Sequence, residues 1–264
     1  MQFEHVPAVS IVYMAVSLIV AFGVPIALLI VFKKKFDAKV SSFFIGCVTF
    51  VVMALVLEQA LHSLVLSSPA GSKITGSIAL YALYGGLAAA VFEETGRILA
   101  MKFLMKKHLD VSNALMYGAG HGGIEAIILL GLTNINNIVI SLMINAGTMP
   151  AVFAQLDPAL AQATFQQYSG LWTTPSWIFL MSGLERMSAI ALHICLSLLI
   201  YKGLKTNRKL YIIMAYVFHF AVDAVTVLIS SSVPVPVLEA VVLLMVVLIA
   251  FYVLRVFKLE RERD

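Results

Sequence analysis

Acidic and basic side chains interrupt several apolar stretches of this sequence at spacings that suit acid–base chemistry. The stretch LAAAVFEETGRILA, residues 87–100, carries Glu93, Glu94 and Arg97. Residues three or four positions apart share a helical face, so Arg97 can pair with either glutamate. The two glutamates point about 100° apart around a helix. One carboxylate can therefore be held by the arginine while the other faces a cavity and acts as a general base or acid.

Two further apolar stretches pair a histidine with a carboxylate four residues later. GHGGIEA contains His121 and Glu125, and FHFAVDA contains His219 and Asp223. Each pair lies on one helical face, and in the second pair the Asp223 carboxylate can orient the imidazole ring. Glycines surround the first histidine and leave space for water and substrate, or for close helix packing.

A third stretch, SGLERMSAIALHICLS, places His193 seven residues after Arg186 and on the same helical face. Glu185 adjoins Arg186 and has the opposite charge, which favours a structural ion pair. A single buried histidine is usually satisfied by an interhelical hydrogen bond. We therefore assign supporting roles to Glu185, Arg186 and His193.

Composition indicates that membrane-spanning helices must position these residues. Hydrophobic residues make up 61% of the 264-residue chain and charged residues 12%, and the mean hydropathy is +0.98. Apolar runs of about 20 residues, which is the length of a membrane span, recur throughout. We predict an all-α, polytopic bundle that forms one integral-membrane domain over residues 1–264. The predicted spans are residues 8–32, 39–66, 75–101, 112–133, 176–201, 209–230 and 234–256.

Basic residues cluster at alternating ends of these spans. Fifteen of the 18 lysines and arginines would lie on one side of the membrane: Lys33, Lys34, Lys35, Lys39, Lys102, Lys106, Lys107, Lys202, Lys205, Arg208, Lys209, Arg255, Lys258, Arg261 and Arg263. Positively charged loops stay in the cytoplasm, which predicts an external N-terminus and a cytoplasmic C-terminus.

The ionisable residues inside the spans share one predicted depth. Glu93, Glu94 and His193 lie about 13 Å from the cytoplasmic ends of their helices, at 1.5 Å per residue. His121 and His219 lie about 15 Å from the corresponding ends. Ionisable groups at bilayer depth are costly and normally face a partner or a wet cavity. Four helices thus place carboxylates and imidazoles in one layer, which predicts a functional site.

Two other features are expected to lie outside this layer. Glu58 and His62 are four residues apart in the second span but about 27 Å or more from its inner end, so we interpret them as a local pair. Between residues 134 and 175, NINN is expected to end the fourth span, and the short IVISLMINAG to continue into the interface or re-enter. LDPALAQATFQQYSGLW is predicted to form a surface helix capped by Asp157, followed by interfacial tryptophans.

Three of these motifs resemble those of a known protease clan. EETGR, YGAGH and HFAVD are similar to the signature motifs of the CAAX-protease and bacteriocin-processing clan of intramembrane proteases. EETGR with GHGGIEA and GLERMSAIALH resembles more closely the YhfC family of intramembrane metalloproteases. Two departures are present: EETGR has two residues instead of three before its arginine, and Asp223 stands where many clan members have asparagine.

The resemblance implies an intramembrane peptidase of a bacterial cell membrane, with a membrane-embedded or membrane-apposed polypeptide as substrate. Glu93, with Glu94, and His121 would activate a water molecule. His219, supported by Asp223, would bind the scissile carbonyl group or stabilise the oxyanion. Alternatively, His121, His219 and Glu93 would form a three-ligand zinc site with an open position. The sequence contains no His-Glu-x-x-His motif, and it leaves both mechanisms open.

Other functions are compatible with the same residues. Chains of glutamate, histidine and aspartate also form proton relays in transporters, although no paired halves are visible. A non-catalytic immunity or binding protein of the same fold is a further alternative. Glu93, Glu94 and Arg97 would then form only a structural ion-pair cluster. The expected surroundings are the lipid bilayer, and no nucleic-acid signature is present.

Overall fold

The protein is all-helical over residues 2–261, the part of the chain that this computed structural model describes. It contains helices joined by turns and no β-strand in that range, which confirms the predicted fold class. Arg263, counted above among the basic residues near the C-terminus, lies outside the described residues. The predicted orientation in the membrane stays a prediction.

We number the helices α1 to α10 in chain order. The long helices are α1 (Ala8–Phe36), α2 (Val40–Leu66), α4 (Ile78–Leu99), α5 (Val111–Asn145), α8 (Ser176–Thr206), α9 (Lys209–Ile229) and α10 (Val235–Arg261). The shorter helices are α3 (Gly71–Thr75), α6 (Met149–Phe153) and α7 (Pro158–Thr173). Three stretches have π-helical geometry: Val51–Glu58 within α2, Ala100–Leu104 after α4, and Ile127–Leu132 within α5.

Six helices in the described part of the chain are long and apolar enough to cross a membrane, close to the predicted seven. They are α1, α2, α5, α8, α9 and the Val235–Lys258 part of α10. The remaining predicted span corresponds to α4, a 22-residue helix that carries the two adjacent glutamates and Arg97.

The helix of the fourth predicted span extends beyond residue 133, so IVISLMINAG continues that helix, the first of its two predicted arrangements. The helix continues through the asparagine-rich segment NINN to Asn145. Asn134 is buried, and Asn137 accepts a hydrogen bond from the Ser141 hydroxyl group through its backbone carbonyl. A continuous helix keeps the backbone hydrogen bonds satisfied in an apolar setting, which outweighs the low helix propensity of asparagine.

The helices form two compact units. The first contains the residues up to Gly23 together with Ala126–Met187. In this unit Asn145 is hydrogen-bonded to both backbone groups of Val6, at 2.8 and 3.0 Å. The predicted helix after Asp157 is present as α7, and the Asp157 carboxylate accepts hydrogen bonds from two backbone amides of its first turn.

The second unit contains Val24–Glu125 and the described residues from Ser188 onward. Within it α4 packs along α9, and α5 packs against α2 at glycines. A Cβ atom on Gly120 would lie 2.0 Å from the Phe43 carbonyl oxygen, and one on Gly46 would lie 2.3 Å from the Tyr117 carbonyl oxygen. The glycines beside His121 therefore allow two helix backbones to touch.

This contact predicts that Gly120→Ala destabilises the protein by about 3 kcal/mol or more, the upper end of the range for overpacking. The added methyl group meets rigid backbone, so the helices must move apart. The thermal unfolding midpoint in detergent measures this effect. Gly85→Ala is the matched control, since beyond the backbone of its own helix no described atom lies within 4 Å of the added carbon. Equal midpoints for the two variants would contradict the tight contact.

Candidate active site

The charged residues of α4 lie inside the second unit. Glu94 and Arg97 are fully buried, and Glu93 is 7% exposed. Arg97 Nε lies 3.0 Å from Glu94 Oε2, so the arginine pairs with the glutamate three residues before it. Glu93 points in a different direction, because adjacent helical positions diverge by about 100°. One glutamate is therefore held by arginine, and the other is directed toward α5.

Glu93 meets His121 on α5. The Nε2 atom of His121 lies 2.7 Å from Glu93 Oε2, and the histidine is fully buried. Its ring packs edge-on against Phe50, with centroids 5.3 Å apart. The other ring nitrogen, Nδ1, is buried and has no hydrogen-bond partner among the residues that the structure describes. A buried polar atom without a partner is costly, so this nitrogen marks a position for a ligand or water.

His193 on α8 lies at the centre of the cluster. Its Nε2 atom is 2.6 Å from Glu125 Oε2, and its Nδ1 atom is 3.1 Å from Nη2 of Arg97. The same Nδ1 atom is 3.9 Å from Glu93 Oε2. The ring centroids of His193 and His121 are 4.8 Å apart. A residue to which the sequence assigned only a supporting role thus contacts three of the predicted site residues.

Arg97 is also fixed by the backbone of α8. Its Nη1 atom donates hydrogen bonds to the His193 carbonyl oxygen at 2.9 Å and to Ser197 Oγ at 2.5 Å. The guanidinium carbon lies 5.8 Å from the ring centroid of Tyr117, which is fully buried. Tyr117 is the aromatic residue of the YGAGH motif, whereas Ser197 is not among the site residues predicted from the sequence. Ser197 follows His193 by four residues, and this spacing was the available signal.

His219 on α9 is held by two carboxylates. Its Nδ1 atom lies 2.8 Å from Glu94 Oε1, and its Nε2 atom lies 3.4 Å from Asp223 Oδ2. Asp223 thus occupies the orienting position that the four-residue spacing predicted. Glu94 bridges Arg97 and His219, so α4, α8 and α9 share one network of hydrogen bonds and ion pairs.

A candidate metal-binding group is formed by Glu93, His121 and His193. Each offers one ligand atom, and these three atoms all lie within 4.8 Å of one another. The set predicted from the sequence had His219 in place of His193, but the structure directs the two nitrogens of His219 toward Glu94 and Asp223. Both histidines lie at similar depth, and the rotation of α8 and α9 within the unit decides which one faces Glu93.

The chemistry of these three residues fits a zinc ion. Two histidines and one glutamate are the ligand set of a familiar class of catalytic zinc sites. All three are buried, and the Nδ1 atom of His121 lacks a partner. Glu125 contacts the far side of the His193 ring, as carboxylates commonly do behind metal-binding histidines. To bind metal, His193 has to release its contact with either Arg97 or Glu125.

Comparisons with known proteins identify the family. The YhfC intramembrane metalloprotease family matches residues 18–256. The chain belongs to this family. The uncharacterized membrane protein YhfC of Bacillus subtilis (strain 168) is 41% identical over 219 residues, which cover 82% of this chain and 84% of the relative. No solved structure matches the chain. The chain is thus an integral membrane protein, and the six apolar helices agree with that assignment.

Glu58 is a further carboxylate of the second unit in this YhfC-family chain. It is buried, and it forms the predicted pair with His62, at 3.2 Å. This side-chain contact agrees with the local pair that the spacing predicts.

Glu185 and Arg186 belong to the first unit and pair with each other. The Nε atom of Arg186 donates to Glu185 Oε2 at 2.5 Å, and a second hydrogen bond joins the other terminal atoms. This is the structural pair that their adjacent, opposite charges indicate. In this YhfC-family chain, the GLERMSAIALH motif thus contains two separate features: the pair, and His193 farther along α8.

Proposed function

We propose that this protein is an intramembrane peptidase that hydrolyses a peptide bond in a membrane-embedded or membrane-apposed substrate. The observation that carries the proposal is the buried cluster of Glu93, His121 and His193, built from three helices. The family's description supports the same reaction class. Burial supports it too, because general acid–base and electrostatic catalysis are most effective where water is excluded.

Glu93 is the residue to which we assign proton transfer. Its carboxylate lies beside His121 and is directed toward the centre of the cluster, away from the Glu94–Arg97 pair. It takes a proton from the attacking water and returns it to the departing amine nitrogen. His121 orients this carboxylate through the 2.7 Å contact.

His219 is assigned to the substrate carbonyl group. Its contact with Glu94 is 2.8 Å, whereas its contact with Asp223 is 3.4 Å. The Nε2 atom is therefore the less tightly held one, and it is the atom that turns toward a substrate oxygen. Donation of a hydrogen bond to the developing oxyanion lowers the barrier to attack. Glu94 fixes the ring from the other side.

In the alternative, metal-dependent form of the reaction, a zinc ion would be held by Glu93, His121 and His193, and Glu93 would then be a ligand and not the group that carries the proton. When bound, such an ion supplies Lewis acidity that polarises the carbonyl group and makes water more acidic. Glu125 orients the His193 ring, and Arg97 fixes the backbone of α8 at the same point. Glu58 and Asp223 are the nearby carboxylates that remain outside this ligand set.

Metal content of the purified protein tests this assignment. The metal-dependent form predicts one zinc per wild-type chain, lost in His121→Ala and His193→Ala and retained in His219→Ala, whereas the glutamate-only form predicts none. His5→Ala, on an exposed residue, is the control. Mass spectrometry of the intact protein and elemental analysis provide the readout without an activity assay. Loss of zinc in His219→Ala but not in His193→Ala would contradict the ligand set of the structure, and a metal-free wild type after zinc addition would exclude a zinc site.

A further inference from the structure

A cavity of about 390 Å³ lies beside the turn between α8 and α9, separate from the candidate active site. One wall is the π-helical turn that follows α4 and the loop after it. The opposite wall is the end of α8 and the first turn of α9. The lining residues are Met101, Lys102, Lys106, Leu109, Gly203, Leu204, Asn207, Lys209 and Ile212.

The cavity is positively charged. Three of its lining residues are lysines, one is asparagine, and none is acidic. Asp110, the acidic residue closest in sequence to these lining residues, does not line the cavity. Its carboxylate accepts hydrogen bonds from the backbone and side-chain nitrogens of Asn113, at 2.8 and 2.9 Å. The three lysines come from two separate segments of the chain: Lys102 and Lys106 follow α4, and Lys209 begins α9. All three are exposed, and together they give the cavity a positive charge that attracts an anion.

The position of the cavity indicates the source of that anion. α8 and α9 are both long and apolar enough to cross a membrane, and the cavity includes Asn207, between the end of one and the start of the other. Asn207 adopts the left-handed conformation (φ 53°) that such a short turn requires. The ends of two spans lie at the boundary of the hydrocarbon layer, where lipid headgroups are found.

The apolar part of the lining distinguishes a lipid from a free ion. Met101, Leu204 and Ile212 belong to the helical walls, whereas the lysine ammonium groups are charged donors. A phospholipid combines an anionic phosphate with an adjoining apolar glycerol-ester and acyl region. Inorganic phosphate has nothing to contact these three side chains. Basic pockets between membrane helices commonly bind anionic headgroups.

We propose that this cavity binds the headgroup of an anionic phospholipid, with its phosphate held by Lys102, Lys106 and Lys209. The bound lipid joins the segment after α4 to the α8–α9 turn. α4 carries Glu93, Glu94 and Arg97, and α8 carries His193, so the lipid stabilises the packing of two helices that build the candidate site. The binding site itself does not depend on the proposed peptidase activity.

The test compares lipids in delipidated, detergent-solubilised protein. Dioleoyl phosphatidylglycerol should raise the thermal unfolding midpoint of the wild type, and dioleoyl phosphatidylcholine should not. The triple variant Lys102→Gln, Lys106→Gln, Lys209→Gln should bind phosphatidylglycerol at least about tenfold more weakly. The control, Lys34→Gln, Lys107→Gln, Lys205→Gln, removes the same charge from exposed lysines outside the cavity and should respond like the wild type.

Several results would overturn the proposal. An equal loss of response in both triple variants would mean that surface charge alone attracts the lipid. An equal response to inorganic phosphate or glycerol 3-phosphate would assign the cavity to a soluble anion. If phosphatidylglycerol does not raise the unfolding midpoint of the wild type, the cavity is not a lipid-binding site. If the triple variant does not fold, Lys106→Gln replaces it, and native mass spectrometry counts the phosphatidylglycerol molecules that each protein retains.

Discussion

Glu93→Gln is expected to lower peptide hydrolysis by about 10²–10⁴-fold, the usual contribution of a positioned general base. Glutamine keeps the shape of the side chain and can still hydrogen-bond to His121, but it cannot accept the proton of the attacking water. The expected readout is the cleavage rate of single-span polypeptides reconstituted with the protein in liposomes, with products identified by mass spectrometry. Thermal unfolding checks that the variant is folded.

Two comparison variants make the result specific. Glu4→Gln changes an exposed carboxylate and should cleave at the wild-type rate. Glu125→Gln should retain part of the activity, because Glu125 orients His193 and lies behind the ring. If Glu93→Gln cleaves at the wild-type rate, Glu93 has no role in proton transfer. If no polypeptide is cleaved by the wild type, and Glu93→Gln instead abolishes a proton flux in the same liposomes, the transporter alternative replaces the peptidase.

Contacts within one helix could be predicted from the sequence. Helical periodicity fixes which residues share a face, and so the pairing of His219 with Asp223 and of Arg97 with a neighbouring glutamate followed from spacing alone. The shared depth of the ionisable residues likewise followed from the span boundaries. These predictions need only the local geometry of an α-helix and a count of residues from the end of each span.

Contacts between helices could not be predicted in the same way. His193 and His219 have similar depths, and only the rotation and packing of α8 and α9 place the first beside Glu93 and the second beside Glu94. The π-helical stretch of α2 that ends at Glu58 is likewise not revealed by apolar composition. The π-helical segments after Arg97 and before Glu58 both flank the site, as such segments frequently do.

Arg97→Met is expected to destabilise the protein by about 3–5 kcal/mol, since it leaves a buried carboxylate without its main counter-charge. Arg97 is fully buried and joins Glu94 on its own helix to the His193 carbonyl oxygen and Ser197 on α8. Arg97→Lys should recover only part of the loss, because an ammonium group cannot reproduce the fork of hydrogen bonds. Chemical denaturation in detergent measures both, with Arg255→Met, on an exposed residue, as the control.

The double variant Arg97→Met, Glu94→Met separates the cost of an unpaired buried carboxylate from the loss of the hydrogen bonds that Arg97 and Glu94 make. Replacing a buried ion pair with apolar residues of similar size is often nearly neutral, whereas removing one partner is not. The double variant should therefore be more stable than Arg97→Met alone, despite the additional loss of the Glu94–His219 contact. If the double variant is the less stable of the two, the hydrogen bonds of Glu94 to His219 stabilise the protein more than its unpaired charge destabilises it. The network would then depend on the contact of α4 with α9 more than on its contact with α8.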